Sequence, residues 1–101
     1  KLFRDWSRFP LVRRDLALLV HRSVRYSTLR ELAFQSAAPL LREVNLFDRY
    51  EGDRIAPELR SYALSFMFRD DHSTLTDERV EAAMTQIIAI FAQATGAEVR
   101  R

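Results

Sequence analysis

The densest group of side chains able to bind a ligand is the segment NLFDRYEG, residues 45–52. It places a carboxylate, Asp48, two residues before an aromatic ring, Tyr50. In an extended chain, residues two apart point to the same face. The pair could therefore stack a planar ligand and accept a hydrogen bond from its edge. The same spacing also fits an edge strand with an amphipathic tyrosine and a solvated aspartate, which is the simpler interpretation of the pattern alone.

Strict alternation creates a conflict in this segment. It puts Val44 and Leu46 on the same face as Asp48 and Tyr50, and these four side chains cannot all belong to a core. A β-bulge near Leu46-Phe47 would resolve the conflict, because one extra residue shifts the phase of a strand. The bulge would turn Asp48 and Tyr50 away from the core.

The remaining polar side chains do not form a catalytic or metal-binding pattern. His21 and His72 have no cysteine or further histidine at ligand spacing, so we expect no metal site. Asp70 and Asp71 precede a helix start, where turn formation accounts for them. The sequence contains neither a glycine-rich phosphate-binding motif nor a G-x-S-x-G motif, and nothing places a nucleophile beside a base.

Length and composition restrict the class of protein. The chain has 101 residues, 16 of them Lys or Arg and 14 Asp or Glu, and no cysteine. It is long enough for one hydrophobic core and has no disulfide framework, so we expect a single domain over residues 1–101. The net charge of +2 does not by itself indicate nucleic acid, because acidic and basic residues interleave.

The start of the chain and its hydropathy suggest where the protein resides. The sequence begins at Lys1 rather than Met, so we expect a fragment of a longer chain. Its longest apolar run, Leu16 to Val20, is too short to cross a bilayer, and no export signal precedes it. We therefore expect a cytoplasmic protein without membrane partners.

Two helices and four strands are expected to position the candidate side chains. One helix should start near Ser27 or Thr28, with Thr28 and Glu31 as a capping box, and the other should have Thr76 as N-cap and Gly96 as C-cap. Alternating apolar residues indicate strands, the last of them short. The predicted strands are residues 13–20, 44–50, 61–68 and 97–100.

The order β-α-β-β-α-β predicts an α+β ferredoxin-like fold, an antiparallel four-stranded sheet with both helices on one face. The face without helices is here called the open face. We expect it to be flat and lined by small residues, so that a planar ligand could lie on it. The parity of the first and third strands predicts which residues it shows. They are Asp15, Ala17, Leu19, Ser61, Ala63, Ser65 and Met67.

Three runs resemble a known family. They are SRFPLVRRDLALLV from Ser7, LLREVNLFDRYEG from Leu40, and RSYALSFMFRDDHSTLTDERVEAAM from Arg60. In order and spacing they resemble the ferredoxin-fold anticodon-binding domain at the end of the β subunit of bacterial phenylalanyl-tRNA synthetases. The resemblance covers nearly the whole chain. Its most specific parts are the F-P-x-x-R-R-D-L entry, the F-D-x-Y strand end and the T-L-T-D helix start.

The resemblance implies RNA binding by a non-catalytic domain whose open face meets the anticodon loop of phenylalanine tRNA. The first anticodon base, a guanine, would stack on Tyr50, and Asp48 would accept from its N–H edge. Ser61 would hydrogen-bond to the base, and Ala17 would let it approach the sheet. The resemblance therefore favours the bulge that turns Asp48 and Tyr50 outward.

The resemblance also implies a larger enzyme around the domain. The parent would be an ATP- and Mg²⁺-dependent ligase with an α2β2 assembly, and the domain itself would hold no cofactor. Arg13, Arg49 and Arg54 are candidate phosphate contacts. Fold alone leaves other functions open, namely a general RNA-binding domain, a small hydrolase on the same scaffold, and a regulatory module that dimerises through its open face.

Overall fold

The computed structural model describes residues 9–52 and 54–100 of the chain. Within them the elements follow the order β-α-β-β-α-β. Their bounds are β1 Val12–His21, α1 Tyr26–Ala37, β2 Leu41–Tyr50, β3 Leu59–Phe68, α2 Asp77–Thr95 and β4 Glu98–Val99.

The strands form one antiparallel sheet in the order β2-β3-β1-β4. The central strands pair over their whole length, with Leu16 opposite Leu64 and Leu18 opposite Tyr62. Both helices pack on the side of the sheet that these residues share. The predicted α+β ferredoxin-like fold is confirmed.

The core lies between the helices and the sheet. The strands supply one wall because their apolar residues alternate, and the helices supply the other because theirs recur every three or four positions. The largest completely buried side chains come from both walls. They are Phe66, Phe68, Phe91, Leu18, Leu29, Leu64, Ile87, Val20, Val44 and Val80.

Helix α2 begins and ends at the predicted caps. The Thr76 side chain accepts a hydrogen bond of 3.2 Å from the backbone N–H of Arg79, and Asp77 and Glu78 lie in the first turn, where acidic residues complement the helix dipole. Gly96 ends the helix in the left-handed conformation, with φ of 75°. These local signals predict the helix well because each acts within one turn.

The predicted start of α1 was wrong. The helix begins at Tyr26 and its N-cap is Arg25, with no side-chain capping bond, so the proposed box of Thr28 and Glu31 does not form. A tertiary contact accompanies the earlier start: the Tyr26 hydroxyl donates to the carbonyl of Val44 at 2.5 Å. This bond ties the first turn of α1 to β2.

Three strands are longer than predicted, and β4, at Glu98–Val99, is shorter than the predicted residues 97–100. β1 extends by one residue at each end, to Val12–His21. β2 begins at Leu41 rather than at residue 44, and β3 begins at Leu59 rather than at residue 61. The start of β2 carries a register shift between Leu41 and Glu43, which lets Leu41 be buried although polar residues follow it. Because this shift interrupts the alternation of apolar and polar residues, the sequence pattern does not indicate that the strand starts at Leu41.

No helix in the described part of the chain combines the length and the hydrophobicity needed to cross a membrane.

Candidate nucleic-acid interface

A β-bulge in β2 decides which side chains face away from the helices. Leu46 pairs with Leu64, but the next pair is Asp48 with Ala63, so Phe47 is the extra residue. Before the bulge, Leu46 lies on the helix side together with Leu64. After it, Asp48 and Tyr50 lie on the open face. The predicted bulge is confirmed, and it resolves the conflict in the alternation.

The four candidate residues lie in two adjacent rows across the open face. In one row Asp48 is opposite Ala63, which is opposite Ala17. In the next row Tyr50 is opposite Ser61, which is itself opposite Leu19 on β1. Ala63 and Ala17 therefore form a small-residue floor with a carboxylate on one side and an aromatic ring in the neighbouring row.

Ser61 lies on the open face as predicted, but it is not exposed. Only 4% of its surface is accessible, and Ser65 on the same strand is similarly buried. Part of the reason is Arg100, whose guanidinium Nη1 donates to the Ser61 hydroxyl at 3.2 Å. The hydroxyl therefore already has one hydrogen-bond partner within the protein.

The Tyr50 ring is held in a defined place beside a glycine. Tyr50 is 40% exposed, and the guanidinium carbon of Arg100 lies 5.9 Å from the centroid of its ring. A Cβ at position 52 would lie 2.6 Å from the Tyr50 hydroxyl oxygen and 2.9 Å from Cζ. Gly52 therefore leaves the space that the ring occupies.

The Asp48 carboxylate is oriented by its own backbone neighbour. Its Oδ1 accepts a hydrogen bond of 2.9 Å from the backbone N–H of Arg49, and the side chain is exposed. A carboxylate fixed in this way is an acceptor for N–H donors above the sheet.

An ionic network anchors the sheet end next to Tyr50. The Arg60 Nε contacts a carboxylate oxygen of Glu51 at 2.6 Å, and Arg60 Nη1 donates to the Tyr62 hydroxyl at 3.1 Å. These bonds, first that to Tyr62 and then that to Glu51, raise the pKa of Arg60 above its usual range. The Tyr62 hydroxyl in turn donates to the carbonyl of Val24 at 2.9 Å. The residue that follows Tyr50 is thereby tied to the core.

Phe47 is a surface aromatic that sequence reasoning missed. Strict alternation places it on the face opposite Asp48, yet it is 53% exposed and the guanidinium carbon of Arg13 lies 5.6 Å from its ring centroid. Arg13 pairs with Met67 on the open face and forms an ion pair of 2.8 Å with Asp15. The predicted bulge could have indicated that Phe47 is exposed, because the two residues of a bulge, here Phe47 and Asp48, can both turn to the same side of the sheet.

Among the described residues, the open face carries more acidic than basic side chains. Of the three arginines suggested as phosphate contacts, only Arg13 lies on it. Arg49 pairs with Tyr62 on the helix-side register, and Arg54 lies in the connection between β2 and β3. Acidic residues outnumber basic ones in the open-face register. Within residues 9–52 and 54–100, the charged residues in that register are Arg13, Asp15, Glu43, Asp48, Glu98 and Arg100. Such a surface suits contacts to base edges better than contacts to a phosphate backbone.

Within residues 9–52 and 54–100, no three His, Asp or Glu side chains come together in a way that could hold a metal ion. His21 and His72 lie far apart in the fold, one at the end of β1 and one before α2. The His21 ring forms a 2.7 Å hydrogen bond with the Ser23 hydroxyl, which stabilises the turn after β1.

Known proteins resemble the chain over nearly all of its length. Residues 7–100 match the family model described as the ferredoxin-fold anticodon binding domain. The phenylalanine–tRNA ligase β subunit of Porphyromonas gingivalis is 44% identical over 96% of the chain, and that of Xanthomonas oryzae is 43% identical over 95%. The β subunit of Bacteroides fragilis is 36% identical over 97% of the chain. The chain spans about 12% of the length of each of these relatives. With this match and the confirmed fold, the chain belongs to the ferredoxin-fold anticodon binding domain family.

Proposed function

We propose that the chain is the anticodon-binding domain of a phenylalanine–tRNA ligase β subunit, and that it binds the anticodon loop of phenylalanine tRNA on its open face. The observation that carries this proposal is the bulge in β2, which brings Asp48 and Tyr50 to the same face as Ala17 and Ser61. The names of the relatives support the choice of RNA.

Each of the four residues has a role in this proposal. Tyr50 stacks a splayed-out guanine, the first base of the anticodon, on its exposed ring. Asp48 accepts hydrogen bonds from the N–H edge of that base. Ala17 keeps the floor low, so that the base can come close to the sheet, and Ser61 bonds to the base or to the group that holds it.

The physical chemistry is that of single-stranded RNA recognition. Unpaired loop bases stack on aromatic side chains and are identified by hydrogen bonds to their edges. A base stacked on an aromatic ring contributes about 1–3 kcal/mol. Because the open face is acidic, specificity would come from the base contacts, and other parts of the parent would hold most of the tRNA backbone.

The parent protein extends this proposal. It would be a phenylalanine–tRNA ligase that uses ATP and Mg²⁺, assembled with an α subunit as α2β2 and located in the cytoplasm. In it, residues 1–101 would form one domain that performs no catalysis and contributes only binding. The domain would hold the tRNA while aminoacylation takes place elsewhere.

Replacement of Tyr50 by Ala tests the proposal. The dissociation constant is measured for an RNA hairpin that carries the phenylalanine anticodon loop. Loss of the stack should weaken binding by about 1–3 kcal/mol, a factor of roughly 5 to 150. Leu11→Ala is a matched control, because Leu11 is an exposed apolar residue of similar accessibility, 45% against 40% for Tyr50.

Two results would contradict the proposal. Unchanged affinity in Tyr50→Ala would remove Tyr50 from the interface. Equal affinity of the unmodified chain for hairpins with unrelated anticodons would indicate a general RNA-binding domain instead.

A further inference from the structure

A group of arginines lies on the helix side of the sheet, at the end where β1 and β2 finish. Arg60 donates to the Tyr62 hydroxyl at 3.1 Å, and that hydroxyl donates to the carbonyl of Val24 at 2.9 Å. The backbone of Arg25, the next residue, therefore lies near the end of the Tyr62 side chain. Arg49 is opposite Tyr62 in the pairing of β2 with β3. Arginines from three parts of the chain thus come together at one tyrosine.

Only part of this positive charge is neutralised within the described chain. Arg60 and Arg22 share the carboxylate of Glu51, at 2.6 Å and 3.5 Å. Arg25 and Arg49 are exposed and pair with no carboxylate among residues 9–52 and 54–100. These four arginines are here called the arginine group. Because a single carboxylate pairs with the group, this end of the sheet attracts anions on its helix side.

The arginine group is close to the candidate site because β2 is an edge strand. Consecutive residues of a strand point to opposite faces, so Tyr50 lies on the open face while its neighbour Arg49 lies on the helix side. In the part of the chain that the structure describes, no strand pairs with the outer side of β2. A nucleic-acid chain that places a base on Tyr50 can therefore run past this edge and bring a phosphate to Arg49.

Arginine is well suited to such a contact, because its planar guanidinium binds phosphate oxygens through two parallel N–H donors. The open face is less suited, since acidic residues outnumber basic ones among the described residues of its register. We infer that Arg25 and Arg49 form a phosphate site that binds the RNA backbone next to the base stacked on Tyr50. This assignment rests on the proposed function. It concerns affinity rather than base identity, because phosphate contacts carry no direct sequence information.

The test separates charge from base identity. Dissociation constants are measured between about 50 and 200 mM salt for the unmodified chain, Arg25→Gln and Arg49→Gln. One RNA hairpin carries the phenylalanine anticodon loop, and a second carries an unrelated anticodon. A third set carries the phenylalanine loop with single phosphates replaced by uncharged methylphosphonates.

Arg30→Gln on α1 is the matched control. Arg30 is also exposed and pairs with no carboxylate in the described part of the chain, but its guanidinium carbon lies 4.8 Å from the ring centroid of Phe34, toward the other end of α1. Arg25→Gln removes no helix cap, since the Arg25 side chain forms no capping bond. Thermal unfolding verifies that each variant is folded.

The assignment predicts a specific pattern. Arg25→Gln and Arg49→Gln should each weaken binding about fivefold at low salt, as expected for loss of one hydrogen-bonded contact, and leave the affinity ratio of the two anticodons unchanged. Two phosphate contacts give the unmodified chain a slope of log affinity against log salt of about 1.4 in magnitude, and each variant should lower it by about 0.7. At least one methylphosphonate should weaken binding by the unmodified chain but not by Arg49→Gln. Tyr50→Ala should lose affinity and keep the slope, and Arg30→Gln should behave like the unmodified chain.

Three outcomes would overturn the assignment. One is unchanged affinity and slope in both arginine variants, which would indicate that the arginine group meets an acidic protein surface instead. Another is a changed affinity ratio between the two anticodons, which would indicate a base contact. The third is the same methylphosphonate penalties in Arg49→Gln as in the unmodified chain. In each case weaker binding by Tyr50→Ala would still support the proposed function. If the unmodified chain binds none of the hairpins, the proposed function fails, and the assignment fails with it.

Discussion

The Tyr50 side chain occupies the space next to Gly52 that a larger residue would need: a Cβ at position 52 would lie 2.6 Å from the tyrosine hydroxyl oxygen. Gly52 does not adopt the left-handed backbone conformation, unlike Gly96. Alanine can therefore take its backbone angles, and the only obstacle is the end of the Tyr50 side chain. Glycine is therefore needed at position 52 to leave room for the Tyr50 ring, and not to allow a particular backbone conformation.

Gly52→Ala should accordingly weaken RNA binding without unfolding the protein. The displaced ring loses part of a stack that is worth about 1–3 kcal/mol, so we expect about a fivefold or larger loss of affinity for the anticodon-loop hairpin. The double variant Tyr50→Ala/Gly52→Ala is the control. If Gly52 acts through the ring alone, the double variant binds no more weakly than Tyr50→Ala. Additive losses would contradict this explanation.

Binding of the anticodon loop should depend only weakly on salt. Each phosphate neutralised on single-stranded nucleic acid contributes about 0.7 to the slope of log affinity against log salt concentration. The open face offers Arg13 and Arg100 against four acidic residues in its register. We therefore expect a slope of magnitude below about 1.5 between about 50 and 200 mM salt. A slope of about 4 or more would show that backbone contacts dominate.

Acid should destabilise the turn before α2 through Asp70. Its carboxylate accepts from the backbone N–H of His72 at 2.8 Å and pairs with Arg79 at 2.9 Å. The backbone hydrogen bond, and then Arg79, hold the pKa of Asp70 below its ordinary value. The stabilisation is present above about pH 4, the unfolded pKa, and is lost as the pH falls through the lower folded pKa.

The variant Asp70→Asn measures this contribution. At pH 7 it should unfold at lower urea concentration than the unmodified protein, because the ion pair is gone. Toward the acid side of pH 4 the two proteins should converge, since a protonated Asp70 resembles asparagine. Glu58→Gln, an exposed carboxyl in the connection between β2 and β3, is the control. A gap between Asp70→Asn and the unmodified protein that does not change with pH would contradict the prediction.

Gly96→Ala should lower the free energy of unfolding by about 1 kcal/mol, because a residue with a Cβ is strained at φ of 75°. Nothing lies within 4 Å of the added carbon, so the loss is conformational and involves no clash. Gly96→Asn should lose less, since asparagine tolerates this conformation better. Urea denaturation measures both, and equal stability of Gly96→Ala and the unmodified protein would refute the argument.

The sequence predicts the fold where the signals are local or regular. The alternation around Leu18 and Leu64 defines β1 and β3, and Thr76 and Gly96 delimit α2. The start of α1 was predicted wrongly because Tyr26 is placed by a bond to β2, a tertiary contact that no local pattern contains.

The candidate site is predictable only in part, for a similar reason. Asp48 and Tyr50 are two residues apart in sequence, so their shared face follows from one bulge. Arg100 is 50 residues from Tyr50 along the chain, and its contact with the ring depends on the strand order β2-β3-β1-β4. The same strand order explains why Ser61 is covered although its parity assigns it to the open face.

The extra residue in β2 divides that strand into two stretches, whose even-numbered side chains face opposite sides of the sheet. On the near side of Phe47, the even-numbered positions such as Val44 contribute to folding, and on the far side the even-numbered positions such as Tyr50 face the open side. Before Phe47, substitution at even-numbered positions should therefore disturb the core, and after Phe47 substitution at even-numbered positions should change only the open face. Deletion of Phe47 would restore regular pairing, with Leu46 opposite Leu64 and Asp48 opposite Ala63, and would leave each stretch on its present face.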